Sequence, residues 1–531
     1  MRKIFILSTI LIILIEGILF WIYNLPGLWP IIIFGPYIII GIYDMFQKKH
    51  AMLRNFPVFG WGRYFMEFLR PKIYQYFVES DIDGRPISRI HRSLVYQRAK
   101  GDIATTPFGT QLDVNSIGYE WMNHSISAKD ISDIENDLRI TVGGDDCTQK
   151  YNASIFNISA MSYGSLSKNA VEALNKGAKI GNFAHNTGEG GISPYHIKHQ
   201  GDLIWQIGTG YFGCRDKNGN FCESQYQNNV SNNSVKMIEL KLSQGAKPGH
   251  GGILPGKKNT LEIAKIRGVK PFEPVISPPF HTAFSTPVEL LNFLEILRKK
   301  SNGKPVGFKF CVGNKIEFIA ICKAMIKTKI YPDFITVDGG EGGTGAAPLE
   351  YSNSIGMPLN DGLSFVVDCL VGFNLKQHIK IIASGKVITG FHIIKNAALG
   401  ADMVSSARAM MLALGCIQAL ECNKNTCPTG VATQDPQLMK GLDVDDKYVR
   451  VAKYHKETIE SVRDLLSATG HSSLNELNRF DINRRISHTS VQRFDEIYPI
   501  IETGAFIDGN IPSSLSQIYN LADENSFNPS L

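Results

Sequence analysis

Apolar positions crowd the start of the chain. Ile4 to Tyr23 is almost wholly apolar, with Glu16 its one charge, and it matches the ~20 residues that a spanning helix needs. The turn-forming stretch Asn24 to Gly27 follows. A second, shorter apolar run, Leu28 to Tyr43, contains Pro30, Gly35 and Pro36. The pattern predicts a transmembrane helical hairpin over residues 1–46. A cleaved signal peptide and a buried core hairpin are the rival readings. The first run is too long for a signal core and lacks a small-residue cleavage site. Arg2 and Lys3 precede the pair, and Lys48, Lys49 and Arg54 follow it. Basic residues on both outer flanks predict that both ends, and the bulk of the chain, face the cytosol from the inner (cytoplasmic) membrane.

An aromatic and basic stretch, Phe56 to Tyr76, leads into a polar region that ends near Gly144. From there short apolar runs alternate with helix-like stretches. Residues 156–161, 181–186, 235–242, 274–278, 306–311, 333–338, 379–384 and 401–407 read as strands. Ser167 to Lys179, Pro287 to Lys300 and Lys315 to Lys327 read as helices, and Gly213 to Ser234 as a polar loop. Strand and helix in alternation mean a parallel sheet. Eight units over roughly 270 residues predict a closed α/β barrel of the (β/α)8 TIM type. A doubly wound open sheet is the alternative; its G-x-G-x-x-G fingerprint after a first strand is absent. Beyond Val449 a helical pattern runs to about Leu466, followed by polar segments and a loose tail. The expected organisation is the hairpin (1–46), a lead-in packed on the barrel (47–140), the barrel (141–450), and a helical and irregular extension (451–531).

Composition narrows the classes. Hydrophobic residues make up 44% and charged residues 20%, a globular balance with a large core. The net charge of +6 is small for 531 residues, and no block of five like charges occurs; nucleic acid is not expected as a partner. Nine cysteines, an odd number with six scattered, indicate a reducing compartment. The clustered three, Cys416, Cys422 and Cys427, read as metal ligands or free thiols. A tetrahedral zinc site wants four ligands and usually a C-x-x-C knuckle, and neither is visible.

The segments after the predicted strands carry candidate chemistry. They read "SAMSYGSLS", "NTGEGG", "SQGAKPGHGG", "GGEGGTGAAP" (with Gly343 and Gly345) and "SGK". Glycine lets a backbone approach a ligand and exposes N–H groups to anions. Barrel active sites lie on this rim, and the ends of strands seven and eight commonly hold a phosphate. That position suits flavin mononucleotide (FMN).

These segments resemble the FMN-binding synthase domain of glutamate synthases, and more closely the stand-alone bacterial FMN-binding glutamate synthase family proteins. The resemblance runs from about Arg85 to Gln434. It is carried by "ISAMSYGSLS", "NTGEGG", "LSQGAKPGHGGILPGKK", "SPPFH", "VDGGEGGTGAAP" and "ALGCIQALECNKNTCPTGVATQ". The stand-alone type shares the lead-in "FPVFGWGRYFMEFLRP" and "GRPISR".

The resemblance implies a 3Fe-4S cluster on Cys416, Cys422 and Cys427, which repeat the family's spacing; thiolates are the usual ligands of such clusters. It implies that Ala160, Met161 and Ser162 touch FMN, that Gln244 and Lys309 approach the polar edge of its ring, and that Ser384 and Gly385 help bind its phosphate. Gly343 and Gly345 are further cofactor contacts. Lys247 and Arg267 match basic residues that hold a keto acid's carboxylates. Lys247 is also a candidate acid, and Glu189 a candidate proton donor or ammonia orienter. For Arg267, within "IAKIRG", a solvated helix face is the rival reading. Lys309, mid-strand in an apolar run, calls for a buried partner.

The implied activity is reductive amination of 2-oxoglutarate, through 2-iminoglutarate, to L-glutamate by hydride transfer from reduced FMN, with electrons from an unidentified donor. The glutaminase domain and C-terminal β-helix of glutamate synthases are not in the sequence, so ammonia is expected free or from a partner. His250 stands where those enzymes carry a carboxylate, and the segment around His281 departs from their "SPPPHHD". Both changes bear on which keto acid is taken. The alternatives are a membrane-linked FMN dehydrogenase of another 2-oxo, 2-hydroxy or amino acid, and a non-catalytic redox sensor; Glu189 and Lys247 argue against the sensor. Direct NAD(P)H binding is not expected, as no dinucleotide fingerprint occurs.

Overall fold

Two apolar helices, Arg2–Tyr23 and Leu28–Phe46, occupy the two N-terminal apolar runs. The structure is a computed structural model that describes residues 1–23, 28–102 and 105–528; the predicted turn at 24–27 lies outside the described residues. The segment Arg2–Ile22 is long and apolar enough to cross a membrane, and the apolar part of the second helix, Ile32–Phe46, is shorter. The Phe5 ring packs on Tyr37 and fills the space beside Gly41. The Ser8 and Tyr37 hydroxyls share a hydrogen bond of 2.8 Å. The chain divides into two compact units, Met1–Arg89 and Ile90–Leu531.

The second unit is built on a closed barrel of eight parallel strands. They are β1 (Phe156–Ile158), β2 (His185–Asn186), β3 (Leu203–Ile207), β4 (Val235–Lys241), β5 (Val306–Phe310), β6 (Phe334–Asp338), β7 (Lys380–Ser384) and β8 (Met403–Ser406). Each strand pairs with the next, and β8 closes on β1 in the register Val404–Phe156, Ser405–Asn157 and Ser406–Ile158. Parallel pairing requires crossovers, and the sequence writes their ends clearly. Ser167, Thr286 and Asn314 cap the helices Lys168–Gly181, Pro287–Lys300 and Lys315–Thr328 by accepting from their first-turn N–H groups. Asn182 and Lys329 end two of them in the left-handed conformation.

The N-terminal end of the barrel is plugged. A hairpin of Arg139–Val142 and Tyr151–Ser154 sends Val142, Tyr151 and Ala153 into a cluster with Ile204, Met237, Phe334, Ile382 and Met403. A polar layer also lies inside the barrel. The buried Glu239 carboxylate accepts from Asn186 (2.7 Å), Gln206 (2.6 Å) and Thr336 (2.6 Å), so three strands satisfy one carboxylate.

Three expectations are corrected. Residues 274–278 are not a barrel strand: Val275–Ile276 pairs antiparallel with Ile253–Leu254 in the connection from β4 to β5. The flanking Pro274 and Pro278 lack the N–H that a central strand donates. The strand missed is β3, "LIWQI", buried at every position. The connection before it holds one four-residue helix, Pro194–Ile197, so the strand–helix rhythm breaks there. Within Gly213–Ser234, read as a loop, Glu223–Val230 is a helix anchored by buried Tyr226 and Val230.

The C-terminal part is folded. The helix Val444–Thr469 runs through residue 450, where the sequence pattern drew a boundary, and packs on Lys168–Gly181. A Cβ at Gly177 would meet the Tyr448 carbonyl at 2.9 Å. Ile482–Arg485 pairs with Glu120–Met122 and Val491–Arg493, and Phe494 and Phe506 are fully buried, each contributing about 1.5–3 kcal/mol of burial. The expected loose tail is thereby replaced by packed structure.

Candidate active site

The loops after β1, β2 and β4 converge at the open end of the barrel. Gly188 (φ +66°) brings the "NTGEGG" loop against the backbone of residues 161–162; a Cβ there would lie 2.6 Å from the Ser162 nitrogen. At Gly190 a Cβ would lie 2.9 Å from the Ser162 Cβ and 3.0 Å from Arg267 Nη2. Met161 and Ser162, which follow Ala160, are thus packed by glycine contacts, and Ser162 lies beside Arg267. The Arg267 guanidinium is buried. It donates to the Ser162 hydroxyl (3.3 Å) and the Tyr163 carbonyl (3.0 Å) and lies over the Phe212 ring. Its Nε has no hydrogen-bond partner among the described residues. Burial outweighs the attraction of Glu189 and lowers its pKa to about 10. The solvated-face reading of Arg267 is therefore wrong.

Glu189 meets Lys241 at 3.1 Å. Its carboxylate lies against Gly208 and Gly252, where a Cβ would collide with it. Burial pushes the Glu189 pKa up, but Lys241, Arg267 and Lys247 together hold it below the ordinary value. Lys247 is buried, and its Nζ donates to the Ala346 carbonyl at 2.8 Å, tying the loop after β4 to the loop after β6. Burial lowers its pKa to about 8, which Glu189 partly offsets and Lys241 reinforces. One carboxylate and three cations thus share a buried mouth. Lys241, the last residue of β4, is the member that sequence reasoning missed, because it alternates with apolar residues in "VKMIELKL". Buried His281 supports it: Nε2 donates to the Lys241 carbonyl (2.8 Å) and Nδ1 accepts from the Tyr211 hydroxyl (3.0 Å). Burial lowers the His281 pKa to about 4, so the ring is neutral. His250 donates to the Gly251 carbonyl (2.8 Å) and sits edge-on to Tyr351.

Lys309 lies beside Lys241 in register on β5. Its buried ammonium pairs with Asp338 at 3.2 Å; burial opposes its charge, but Asp338 prevails and its pKa is raised. Asp338 also accepts from the Gly245 N–H at 2.9 Å, which holds the loop that carries Gln244.

The ends of β7 and β8 offer a phosphate cradle. Ser384 and Ser405 are buried and paired in register, Ser384 lies 3.3 Å from the Ser159 hydroxyl, and Gly385 has φ +145°. Arg408 follows β8 and donates to the Glu341 carbonyl at 2.7 Å. A Cβ at Gly343 would lie 3.0 Å from Arg408 Nε, whereas at Gly345 it would meet nothing within 4 Å. Hydroxyls, a guanidinium and bare glycine backbone on one rim fit the phosphate end of FMN. Ser405 lies within the last predicted strand and Arg408 directly after it, and the sequence reading assigned neither a role.

The three clustered cysteines occupy a loop with Gln418, Leu420 and Asn425 at positive φ. Among the described residues no three His, Cys, Asp or Glu side chains are placed to hold a single metal ion. The thiols nevertheless share one electrostatic neighbourhood. Burial and then the other two thiols push Cys416 up to about 12, and burial and Cys427 raise Cys422. Cys427 is lowered, because N–H groups and the Thr429 hydroxyl outweigh its burial. Buried Lys258 joins this loop to the loop after β1: Nζ donates to the Ser165 carbonyl (2.8 Å) and the Cys422 carbonyl (3.1 Å).

A family model described as "Conserved region in glutamate synthase" matches residues 123–472. The chain is 37% identical over 482 residues to the glutamate synthase large subunit-like protein YerD of Bacillus subtilis (strain 168), with 84% of this chain and 91% of that protein covered. It is 35% identical over 322 residues to an archaeal glutamate synthase (NADPH) of Methanocaldococcus jannaschii, covering 60% of each. It spans 20% of the glutamate synthase (NADPH) large chain of Bacillus subtilis, at 33% identity. Among solved structures, the flavin-binding domain of baker's yeast flavocytochrome b2 is similar at 14% identity and a TM-score of 0.41, with 79% of this chain and 85% of that chain covered. With residues 123–472 inside the family model and 91% of YerD covered, the chain belongs to the glutamate synthase family.

Proposed function

We propose that this chain is an FMN- and iron–sulfur-dependent oxidoreductase that converts 2-oxoglutarate and ammonia, through 2-iminoglutarate, to L-glutamate. One observation carries the reading. Lys247 and Arg267 are buried at the barrel mouth, and among the described residues neither has a carboxylate within ion-pair distance, whereas Lys241 and Lys309 are matched to Glu189 and Asp338. Two unmatched buried cations favour a ligand with two carboxylates. A monocarboxylate leaves one of them buried and unpaired, which costs several kcal/mol per ion.

The side chains divide the work. Arg267 and Lys247 bind the two carboxylates and turn the carbonyl carbon toward residues 160–162. Glu189, held ionised by its cations, accepts from the N–H groups of ammonia and of the imine; its lowered pKa favours this role over that of proton donor. Lys247, at about 8, is matched to giving a proton near neutral pH. FMN, when bound, supplies the hydride. Residues 160–162, Gln244, Lys309, Gly343, Gly345, Ser384 and Gly385 would hold it, joined by Ser405 and Arg408.

The proposal includes a three-iron–four-sulfur cluster on Cys416, Cys422 and Cys427. The three thiols lie on one loop and would be its ligands as thiolates, the usual protein ligands of iron–sulfur clusters. Such a cluster supplies electrons singly, from a donor still to be found. The proposal also includes membrane anchoring by residues 1–46 with the barrel on the cytosolic side, supported by the apolar length of Arg2–Ile22 and its basic flanks.

The test is a titration of the oxidised protein with 2-oxoglutarate and with monocarboxylate 2-oxo acids. The dicarboxylate should bind at least about tenfold tighter, the low end for a charged hydrogen bond, and Lys247→Ala or Arg267→Ala should abolish the difference. Equal affinities would remove the basis for this substrate. A preference for monocarboxylates would support the second reading, a membrane-linked dehydrogenase of another acid, which the Arg2–Ile22 helix also accommodates.

A further inference from the structure

The helix Gly60–Ile73 carries an unusual surface. At 3.6 residues per turn, Trp61, Phe65, Met66, Phe68, Leu69 and Ile73 fall on one side, and Arg63, Glu67 and Arg70 on the other. The apolar side faces out: Trp61 is 48%, Phe65 56% and Phe68 63% exposed. The next turn, Tyr74–Val78, extends it with exposed Tyr76 and Phe77. A contiguous exposed aromatic surface marks an interaction site.

Charge and position identify what covers it. Residues 47–78 hold six cations, Lys48, Lys49, Arg54, Arg63, Arg70 and Lys72, against the single carboxylate of Glu67, which already pairs with Arg63 at 3.0 Å. The Lys72 ammonium sits 3.5 Å over the Phe68 ring; Lys72 falls between Phe65 and Phe68 on the apolar side, where its long stem can carry the charge up to headgroups. The helix is also fastened to the end of the second apolar helix. Fully buried Asp44 accepts from the Val58 N–H at 2.9 Å and from the Trp61 indole N–H at 3.0 Å.

We propose that residues 60–78 lie flat in the headgroup region of an anionic membrane leaflet, aromatic side toward the acyl chains and Arg63 and Arg70 toward lipid phosphates. Acyl chains and anionic headgroups together supply both halves of the complementarity: an apolar side rimmed by cations. This surface rests on the membrane reading of residues 1–46 and adds to it a second, composition-sensitive lipid contact.

A benzophenone-bearing phenylalanine analogue at Ile13, Phe65, Glu67 or Phe68 of the full chain tests this. Each protein is reconstituted in nanodiscs of phosphatidylcholine, with or without about one-third phosphatidylglycerol, at which each cation near the surface is worth about fivefold in partitioning. The expected result is lipid adducts at Phe65 and Phe68 but not at Glu67. Their yield should rise with anionic lipid, and Arg63→Glu/Arg70→Glu/Lys72→Glu should erase that rise. Lipid adducts at Ile13, with none or only protein adducts at Phe65 and Phe68, would overturn the inference and leave the anchor intact. Equal lipid adducts at Glu67 and Phe68 would overturn the flat orientation. Lipid adducts at Phe65 and Phe68 with none at Ile13 would keep this surface and reject the anchor, and none at any position would reject both.

Discussion

The carboxylate of Glu189 and the ammonium of Lys241 meet at 3.1 Å in the mouth of the barrel. Glu189 comes from the loop after β2, and Lys241 is the last residue of β4. The pair therefore fastens the loop after β2 to the end of β4 and keeps a largely buried carboxylate ionised beside Arg267 and Lys247.

Removing Lys241 should expose that dependence. In Lys241→Met, burial remains and the largest opposing charge is gone, so the Glu189 pKa rises. The acid limb of the activity profile should move to higher pH, with a loss of at least ~10²-fold in turnover. Breaking one side of a buried pair should also cost about 3 kcal/mol of stability, measurable by denaturant unfolding. In the unaltered chain the lowered Glu189 pKa contributes stability that is present above its ordinary 4.5 and lost as pH falls through the folded value.

Lys247 sets the alkaline side. Its ammonium persists below about 8, so KM for the keto acid should rise as pH passes that value. Lys247→Ala should keep the flavin, lose at least ~10²-fold in turnover and flatten the alkaline rise in KM. Between about 8 and the ordinary 10.5 the unfolded chain holds this proton and the folded chain does not. The group therefore adds stability as pH rises through that window, which unfolding measured at several pH values reads directly.

Lys258 should act on the cysteine loop. Lys258→Met removes the two hydrogen bonds that Nζ donates, one to the Ser165 carbonyl and one to the Cys422 carbonyl, and one positive charge beside the thiols. If the proposed cluster is present, the expected outcome is less iron and sulfide per chain, and a lower midpoint potential for what remains of it. Lys258→Arg should recover the potential more fully than the iron content, since it restores charge before geometry.

Two glycines separate folding from ligand contact. Gly188→Ala places a Cβ 2.6 Å from the Ser162 nitrogen at a φ of +66°, so it should lose at least about 1–3 kcal/mol of stability. Gly345→Ala meets nothing within 4 Å and should unfold as the unaltered chain does; weaker FMN binding in that variant would then report on the ligand alone.

Much of the architecture was legible because barrel strands and capped helices write strong local signals. Thr286-Pro287 and Asn314-Lys315 start helices by capping chemistry that needs no tertiary context. The missed β3 and the misassigned Val275–Ile276 have the opposite cause. "LIWQI" lacks a full preceding helix, and "PVISP" is β-rich in composition but flanked by prolines. Lys241 escaped notice for a similar reason. A strand residue's side chain alternates faces, and only the closed barrel shows that this lysine ends in the mouth against Glu189. Arg267 was ambiguous within its helix and became specific once Gly190 and Ser162 were brought against it.

Oxidation of the reduced flavin by substrate separates glutamate synthesis from every other use of this site. The full chain, loaded with FMN, is reduced anaerobically and mixed with 2-oxoglutarate and ammonium in a stopped-flow spectrometer, and the products are then identified. Flavin reoxidation should need both reagents, yield one L-glutamate per flavin reoxidised, and slow at least ~10²-fold in Lys247→Ala. Reoxidation by a monocarboxylate 2-oxo acid but not by 2-oxoglutarate, or reoxidation without glutamate, would contradict the proposed function.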